Sequence, residues 1–355
     1  MQAPHILVRS ALPGMAWPAI TGPEEATHLA LQYQLERSQW LSPGDLRALQ
    51  LRQLDALVRH ARLTVPFYRW QWHGSHRSGD AVTRESFERL PLLRRENLQH
   101  EFEELRSNAS PAAHGAISES RTAGSTGRPV RTLKTALTHL WWLALMLRDH
   151  LWHRRDFDGT LATIRAGLEN GEAQGWGPAT GMIAAAGRSV VLGAHAGTDA
   201  QLEWLRRHGP DYLQTSPANA AELARRSIAR GVRFPALREV RTSGDAVGTE
   251  TRKLCREAWD VPLTDLYAAD EAGCIALQCP DHEHYHVQSE SVLVEVLDGE
   301  DRACAPGTVG RVVVTTLQNF AMPLIRYDIG DLAEVGDPCP CGRGLPVLGR
   351  ILGRA

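Results

Sequence analysis

Between residues 160 and 272 the chain alternates short β-forming runs with amphipathic helical stretches. Thr160–Ile164, Ser189–Leu192, Asp211–Thr215 and Glu239–Thr242 read as strands, and Ala200–His208 and Ala218–Arg230 as helices. Ser216-Pro217 supplies a helix start with proline in the first turn. This alternation predicts an α/β domain with a largely parallel sheet.

The flanks differ. Residues 1–20 look irregular, and from Glu24 to about Ala61 the apolar spacing is helical, with Leu46, Leu49, Leu51, Leu54, Leu57 and Val58 on one stripe. Val65-Pro66-Phe67-Tyr68 is a breaker, and Leu90–Leu93 leads into a helix from Arg94. Trp141 to Trp152 reads as a strongly apolar helix whose tryptophans belong to the core. From Gly273 the chain is β-rich, with strands at Ser291–Leu297 and Gly310–Thr316 and turns at Asp298-Gly299 and Pro306-Gly307. The expected division is a helical part over 1–120, an α/β core over 121–272, a smaller β-rich subdomain over 273–352 and a hinge at 353–355.

A formal net charge of −2 argues against a general nucleic-acid binder. No run of about 18 apolar residues is present, so no membrane span is expected. The N-terminus lacks a basic start followed by an apolar stretch, which argues against a secretory signal. Six cysteines are too few for a disulfide scaffold in 355 residues, so a reducing cytoplasm is the expected compartment.

Four clusters carry candidate chemistry. Thr122-Ala123-Gly124-Ser125-Thr126-Gly127-Arg128-Pro129 combines glycines, hydroxyls and a base. Glycines bring backbone N–H groups close to a ligand, and hydroxyls and arginine suit phosphate oxygens. The plainer reading is a surface turn. Tyr267-Ala268-Ala269-Asp270-Glu271 offers a ring to stack on a flat base and carboxylates for Mg²⁺; otherwise it is a strand end with an acidic cap. In Leu324–Asp331, an aspartate after glycine can accept from the vicinal hydroxyls of a ribose; otherwise it is a tight turn with a paired arginine and aspartate. Cys279-Pro280-Asp281-His282 and Cys339-Pro340-Cys341 are Cys/His pairs suited to tetrahedral zinc, with His284 and His286 as rival imidazoles. Such a site needs no open position and would tie two β loops together.

The order of these motifs resembles the adenylate-forming superfamily, within it the phenylacetate–coenzyme A ligase-like branch. The resemblance is carried by Thr122–Pro129, Ser243-Gly244-Asp245, Tyr267–Gly273, Cys279–His286, Pro306–Arg311, Asn319–Asp331 and Cys339–Arg343. It is dense from about 243 to 354, thinner from 60 to 135 and vague between 140 and 235. It implies that a carboxylic acid attacks ATP to give an acyl-adenylate, and that coenzyme A then displaces AMP. It further implies an α/β large domain whose 121–272 core binds nucleotide and acid, and a zinc-stabilised β-rich subdomain. By the same resemblance Thr122, Gly124, Ser125, Thr126 and Gly127 hold the ATP phosphates. Ser243, Gly244, Asp245, Tyr267, Asp270 and Asp331 complete the nucleotide site, with Tyr267 on the adenine and Asp331 on the ribose. Glu271 ligates Mg²⁺ and, with Thr126 and Arg326, is catalytic. Cys279, His282, Cys339 and Cys341 match the family's zinc set. A homodimer is implied as well, beside the absence of nucleic-acid and membrane partners expected from charge and hydropathy.

Three departures qualify the match. The family loop usually reads Ser-Ser-Gly-Thr-Thr-Gly, so Ala123 and Ser125 are variants. Asp270 stands where a threonine is usual, and a carboxylate there repels phosphate unless Mg²⁺ or a proton intervenes. Gly353-Arg354 resembles the hinge before a small C-terminal domain, which is expected to be absent here. Transfer to a carrier protein or an amine, and a non-catalytic nucleotide-binding module, stand as alternatives. The acyl pocket is expected between the Trp141–Leu151 helix and the middle strands, with Trp176, His195 and Tyr212 as lining candidates.

Overall fold

The computed structural model describes residues 8, 10–15, 17–73, 81–121, 129–181 and 187–354. The helices are α1 (Pro23–Ser38), α2 (Pro43–Thr64), α3 (Pro66–Gln71), α4 (Arg84–Glu88), α5 (Arg95–His100), α6 (Phe102–Leu105), α7 (Ala136–Trp152), α8 (Pro178–Gly181), α9 (Thr198–His208), α10 (Pro217–Arg230) and α11 (Thr249–Trp259). The strands are β1 (Ile117–Arg121), β2 (Arg131–Thr135), β3 (Leu161–Arg165), β4 (Gly171–Gln174), β5 (Arg188–Gly193), β6 (Tyr212–Thr215), β7 (Glu239–Ser243), β8 (Leu263–Ala269), β9 (Gly273–Gln278), β10 (Tyr285–Val287), β11 (Val292–Leu297), β12 (Val309–Thr316), β13 (Tyr327–Val335) and β14 (Val347–Arg354).

The chain forms two compact units, each discontinuous in sequence: Met1–Tyr33 with Met146–Tyr267, and Gln34–Leu145 with Ala268–Ala355. The division expected from the sequence, in consecutive blocks, differs from this. The cause lies in long-range bonding: α2 is tied to a segment some 240 residues later, and chain order does not reveal such a tie.

In the first unit the strands run β8-β7-β6-β3-β5-β4. All pairings are parallel except β4 with β5. Parallel strands buried on both faces read as apolar runs, as Ala162, Ile164, Val190, Leu213, Val240 and Leu263 do. Leu202 and Leu205 of α9, Ala220, Leu223 and Ala224 of α10, and Leu254, Ala258 and Trp259 of α11 close this core. At the start of α10 the Ser216 hydroxyl accepts from the Asn219 N–H, with Pro217 in the first turn.

A second cluster in this unit is aromatic. Trp176 packs edge-on to Tyr212 at 4.9 Å and to Phe157 at 5.5 Å between ring centroids, and His150 lies 5.5 Å from Trp176. The Trp176 indole donates to the Gly159 carbonyl, and the Tyr212 hydroxyl accepts from the Asp156 N–H. Trp176 and Tyr212, expected as pocket lining, are thus committed to the core, while His195 is exposed. Of the α7 tryptophans, Trp152 is buried, whereas Trp141 and Trp142 are half-buried.

The second unit is antiparallel in the order β11-β12-β13-β14-β10-β9, with β1 and β2 as a separate hairpin. The helical run expected from Glu24 to Ala61 is broken at Ser42-Pro43, where the Ser42 hydroxyl caps α2 by accepting from Asp45 N–H. Helix α2 buries Leu46, Leu54, Leu57, Val58 and Ala61. Its polar residues grip main chain: Gln50 donates to the Ser289 and Val292 carbonyls, and Gln53 to that of Leu317. The Tyr68 hydroxyl donates to the Pro323 carbonyl and accepts from the Ile325 N–H. No helix among the described residues is long and apolar enough to cross a membrane.

Candidate active site and metal centre

Strand β8 ends in the turn Asp270-Glu271-Ala272, closed by the Ala272 N–H on the Ala269 carbonyl and by Gly273 at φ +78°. A left-handed φ is open to glycine at little cost. The turn sends its two carboxylates to opposite environments: Asp270 is exposed, and Glu271 is buried. The Tyr327 hydroxyl donates to Glu271 Oε1 at 3.2 Å, and Arg95 Nη1 approaches the same oxygen at 3.5 Å. Among the described residues Glu271 Oε2 accepts no hydrogen bond. Burial, reinforced by the Glu271 charge, holds the Tyr327 phenol well above its ordinary pKa, so it stays a donor.

The segment that delivers Tyr327 is fixed by its neighbours. Asn319 donates to the Leu133 carbonyl, and its own carbonyl oxygen accepts from Ala321 and Met322 N–H. Arg326 has φ +51°, an uncommon conformation for a residue with a Cβ, and its side chain is bound all round. Its guanidinium donates to both Glu295 oxygens and to the Glu88 and Leu90 carbonyls. Leu93 N–H donates to the Arg326 carbonyl, and Asp328 N–H to the Leu93 carbonyl, so the backbone is stitched on both sides of Tyr327. The guanidinium expected to be catalytic thus places four of its five N–H donors in holding the chain.

Asp331 lies mid-strand in β13, half-buried, with Arg354 Nε at 3.5 Å. In the first unit, Tyr267 is buried near the end of β8, Ser243 is half-buried at the end of β7, and Gly244 and Asp245 are exposed just beyond it. The stretch Thr122–Gly127, with Thr126, lies outside the described residues.

Cysteines and histidines of the two pairs lie close together. Cys279 Sγ and Cys339 Sγ are 3.8 Å apart, and His282 Nδ1 lies 3.5 Å from the first and 3.6 Å from the second. Zinc bonds of about 2.3 Å to sulfur and about 2.0 Å to nitrogen give tetrahedron edges of about 3.8 Å and about 3.5 Å, so these atoms fit three corners. Cys341 joins them: its N–H donates to Cys339 Sγ, and its sulfur lies 3.5 Å from His286 Nε2. An overlapping set, Cys279, His284, His286 and Cys339, has its ligand atoms within 4.8 Å of one another. The His282 contacts and the Cys341–His286 separation both match zinc sulfur–nitrogen edges; the two sets share Cys279 and Cys339 and differ in the imidazoles and in Cys341. Burial pushes the Cys339 thiol up to about 12, and a cation reverses that preference by binding the thiolate. No disulfide links any of the six cysteines.

Sequence reasoning named Glu271 and the four metal candidates, but it missed Arg95, Tyr327 and Glu295. Arg94-Arg95 read only as a helix start, because nothing local connects it to a glutamate 176 positions later.

No family model matches the chain. It is 29% identical over 330 residues to the phenylacetate–coenzyme A ligase of Thermus thermophilus, covering 87% of this chain and 70% of that protein. Against the phenylacetate–coenzyme A ligase of Aromatoleum evansii it is 26% identical over 344 residues, covering 90% of this chain and 73% of that protein. A solved 2-hydroxyisobutyryl-CoA ligase, in complex with 2-HIB-AMP and CoA, superposes with a TM-score of 0.72 at 20% identity, covering 90% of this chain and 77% of that one. With the motif order from the glycine loop to Cys339–Arg343, these relatives support a likeness to the adenylate-forming superfamily, on its phenylacetate–coenzyme A ligase-like branch, and the solved structure shares the fold.

Proposed function

We propose that this chain activates a carboxylic acid with ATP to an acyl-adenylate and passes the acyl group to coenzyme A. The observation that carries this reading is Glu271, a buried carboxylate with one oxygen held by Tyr327 and the other free of hydrogen bonds among the described residues, in the motif where the family has its magnesium ligand. When bound there, Mg²⁺ supplies charge neutralisation on the phosphates. The protein's part is to position the acid against the α-phosphate and to stabilise the crowded centre electrostatically. In this reading Tyr267 stacks the adenine, with Ser243, Gly244 and Asp245 beside it. Asp331 takes the ribose, and Thr122–Gly127, including Thr126, grips the phosphates. Arg326 takes a scaffold role, since four of its five N–H donors are already used.

Cys279, His282, Cys339 and Cys341 are proposed to hold a structural zinc, an assignment supported by the tetrahedral edge lengths. An aryl or medium-sized acid, a cytoplasmic setting and a homodimer complete the reading.

Asp270 favours a second reading. Its exposed carboxylate stands where the family has a phosphate-binding threonine, which suits a module that binds nucleotide without turning it over. The test is carboxylate-dependent exchange of pyrophosphate into ATP across a panel of aryl and aliphatic acids. Exchange with one acid class establishes adenylation and names the substrate. Nucleotide binding without exchange for any acid favours the non-catalytic module.

A further inference from the structure

Two donors from separate parts of the chain converge on one oxygen of Glu271. Tyr327, fully buried at the start of β13, donates to Oε1 at 3.2 Å; Arg95, at the start of α5, reaches the same oxygen at 3.5 Å. A carboxylate held through one oxygen has a fixed plane, and its other oxygen points in a fixed direction. Arg95 Nε is buried without a partner among the described residues, whereas a guanidinium kept for structure alone is normally satisfied. The backbone around Tyr327 is also more constrained than a strand start requires, being stitched to Leu93 on both sides and anchored by Arg326.

We propose that Tyr327 and Arg95 are positioning residues: together they pin Glu271 Oε1 and thereby present Oε2 to the magnesium of the nucleotide complex. The inference rests on reading Glu271 as the magnesium carboxylate. Without the pins the carboxylate rotates, and metal binding must pay for fixing it. Magnesium dependence therefore weakens while nucleotide binding without metal is untouched.

The test compares the intact protein with Tyr327→Phe, Arg95→Gln and Arg95→Lys. The readouts are the melting shift given by ATP across a magnesium titration and the shift given by AMP in a chelator. Tyr327→Phe and Arg95→Gln are expected to raise the half-saturating magnesium concentration on the order of tenfold, as for the loss of one hydrogen bond to a charged group. Their AMP shift stays at the wild-type value, and Arg95→Lys recovers part of the loss. In pyrophosphate exchange the effect falls on the KM for magnesium rather than on kcat at saturating metal. Wild-type magnesium dependence in both Tyr327→Phe and Arg95→Gln overturns the proposal, as does an equal loss of AMP binding without metal. If Tyr327→Phe does not fold, the two Arg95 variants decide alone. A wild-type protein whose ATP shift ignores magnesium overturns the underlying reading of Glu271 instead, and so the two failures are told apart.

Discussion

Arg326 and Glu295 form a two-pronged pair, Nε to Oε2 at 3.1 Å and Nη2 to Oε1 at 2.9 Å, with side chains 5% and 12% exposed. Burial raises the Glu295 carboxyl above its usual range, and the Arg326 fork works against that shift. Removing one member leaves the other charge buried and unpaired. Arg326→Ala is expected to destabilise the protein by about 3–5 kcal/mol, measured as a lowered urea midpoint. Arg326→Lys keeps the charge but loses the planar fork, and should recover only part of the loss.

Tyr68 is a smaller version of the same device. Its hydroxyl bridges the Pro323 carbonyl and the Ile325 N–H inside the segment leading to Tyr327. Tyr68→Phe leaves both backbone groups without their partner, at a cost of about 1–3 kcal/mol. Chemical denaturation of the variant checks this.

The thiol cluster predicts zinc at about one equivalent per chain and a lower melting temperature after chelation. Cys339→Ser should abolish the metal, since Cys339 belongs to both candidate quartets. His282→Ala should abolish it and His286→Ala should not, by elemental analysis of the purified variants. The reverse result assigns the metal to Cys279, His284, His286 and Cys339.

Acid stability should depend on a buried histidine of the first unit. His150 Nδ1 accepts from Arg155 Nη1 at 3.2 Å, so the ring sits neutral. Burial first, and then the charges of Arg155 and Arg241, hold its pKa well below the ordinary value. The folded state refuses a proton that the unfolded chain takes up near pH 6.5. Its stability contribution is therefore present above that value and is lost as pH falls toward the folded pKa, by up to about 1.4 kcal/mol per pH unit. Urea midpoints at pH 7.5 and 5.5 should show the decline, and His150→Asn should flatten it.

Much of this architecture was legible before any coordinates. The parallel strands announced themselves because they are buried on both faces, and the α10 start because Ser216-Pro217 is a local signal. The cysteine and histidine pairs stood out because each lies within four residues of sequence. What escaped was the non-local part: Arg95 beside Glu271, Glu295 beside Arg326, and the aromatic packing of Trp176 against Tyr212 and Phe157. Each depends on which side chains the fold brings together, and short-range periodicity carries no such information.

Helix α2 grips the later segment through carbonyl oxygens, from Gln50 to Ser289 and Val292, from Gln53 to Leu317, and at Phe320 through His60. These polar contacts depend on where the main chain runs, with the His60 ring on Phe320 as a side-chain contact beside them. Side-chain changes at Ser289, Val292 and Leu317 are therefore compatible with these hydrogen bonds so long as the path is kept. A change of length is not: one inserted or deleted residue slides the carbonyls by about 3.3 Å, past the reach of the glutamine amides.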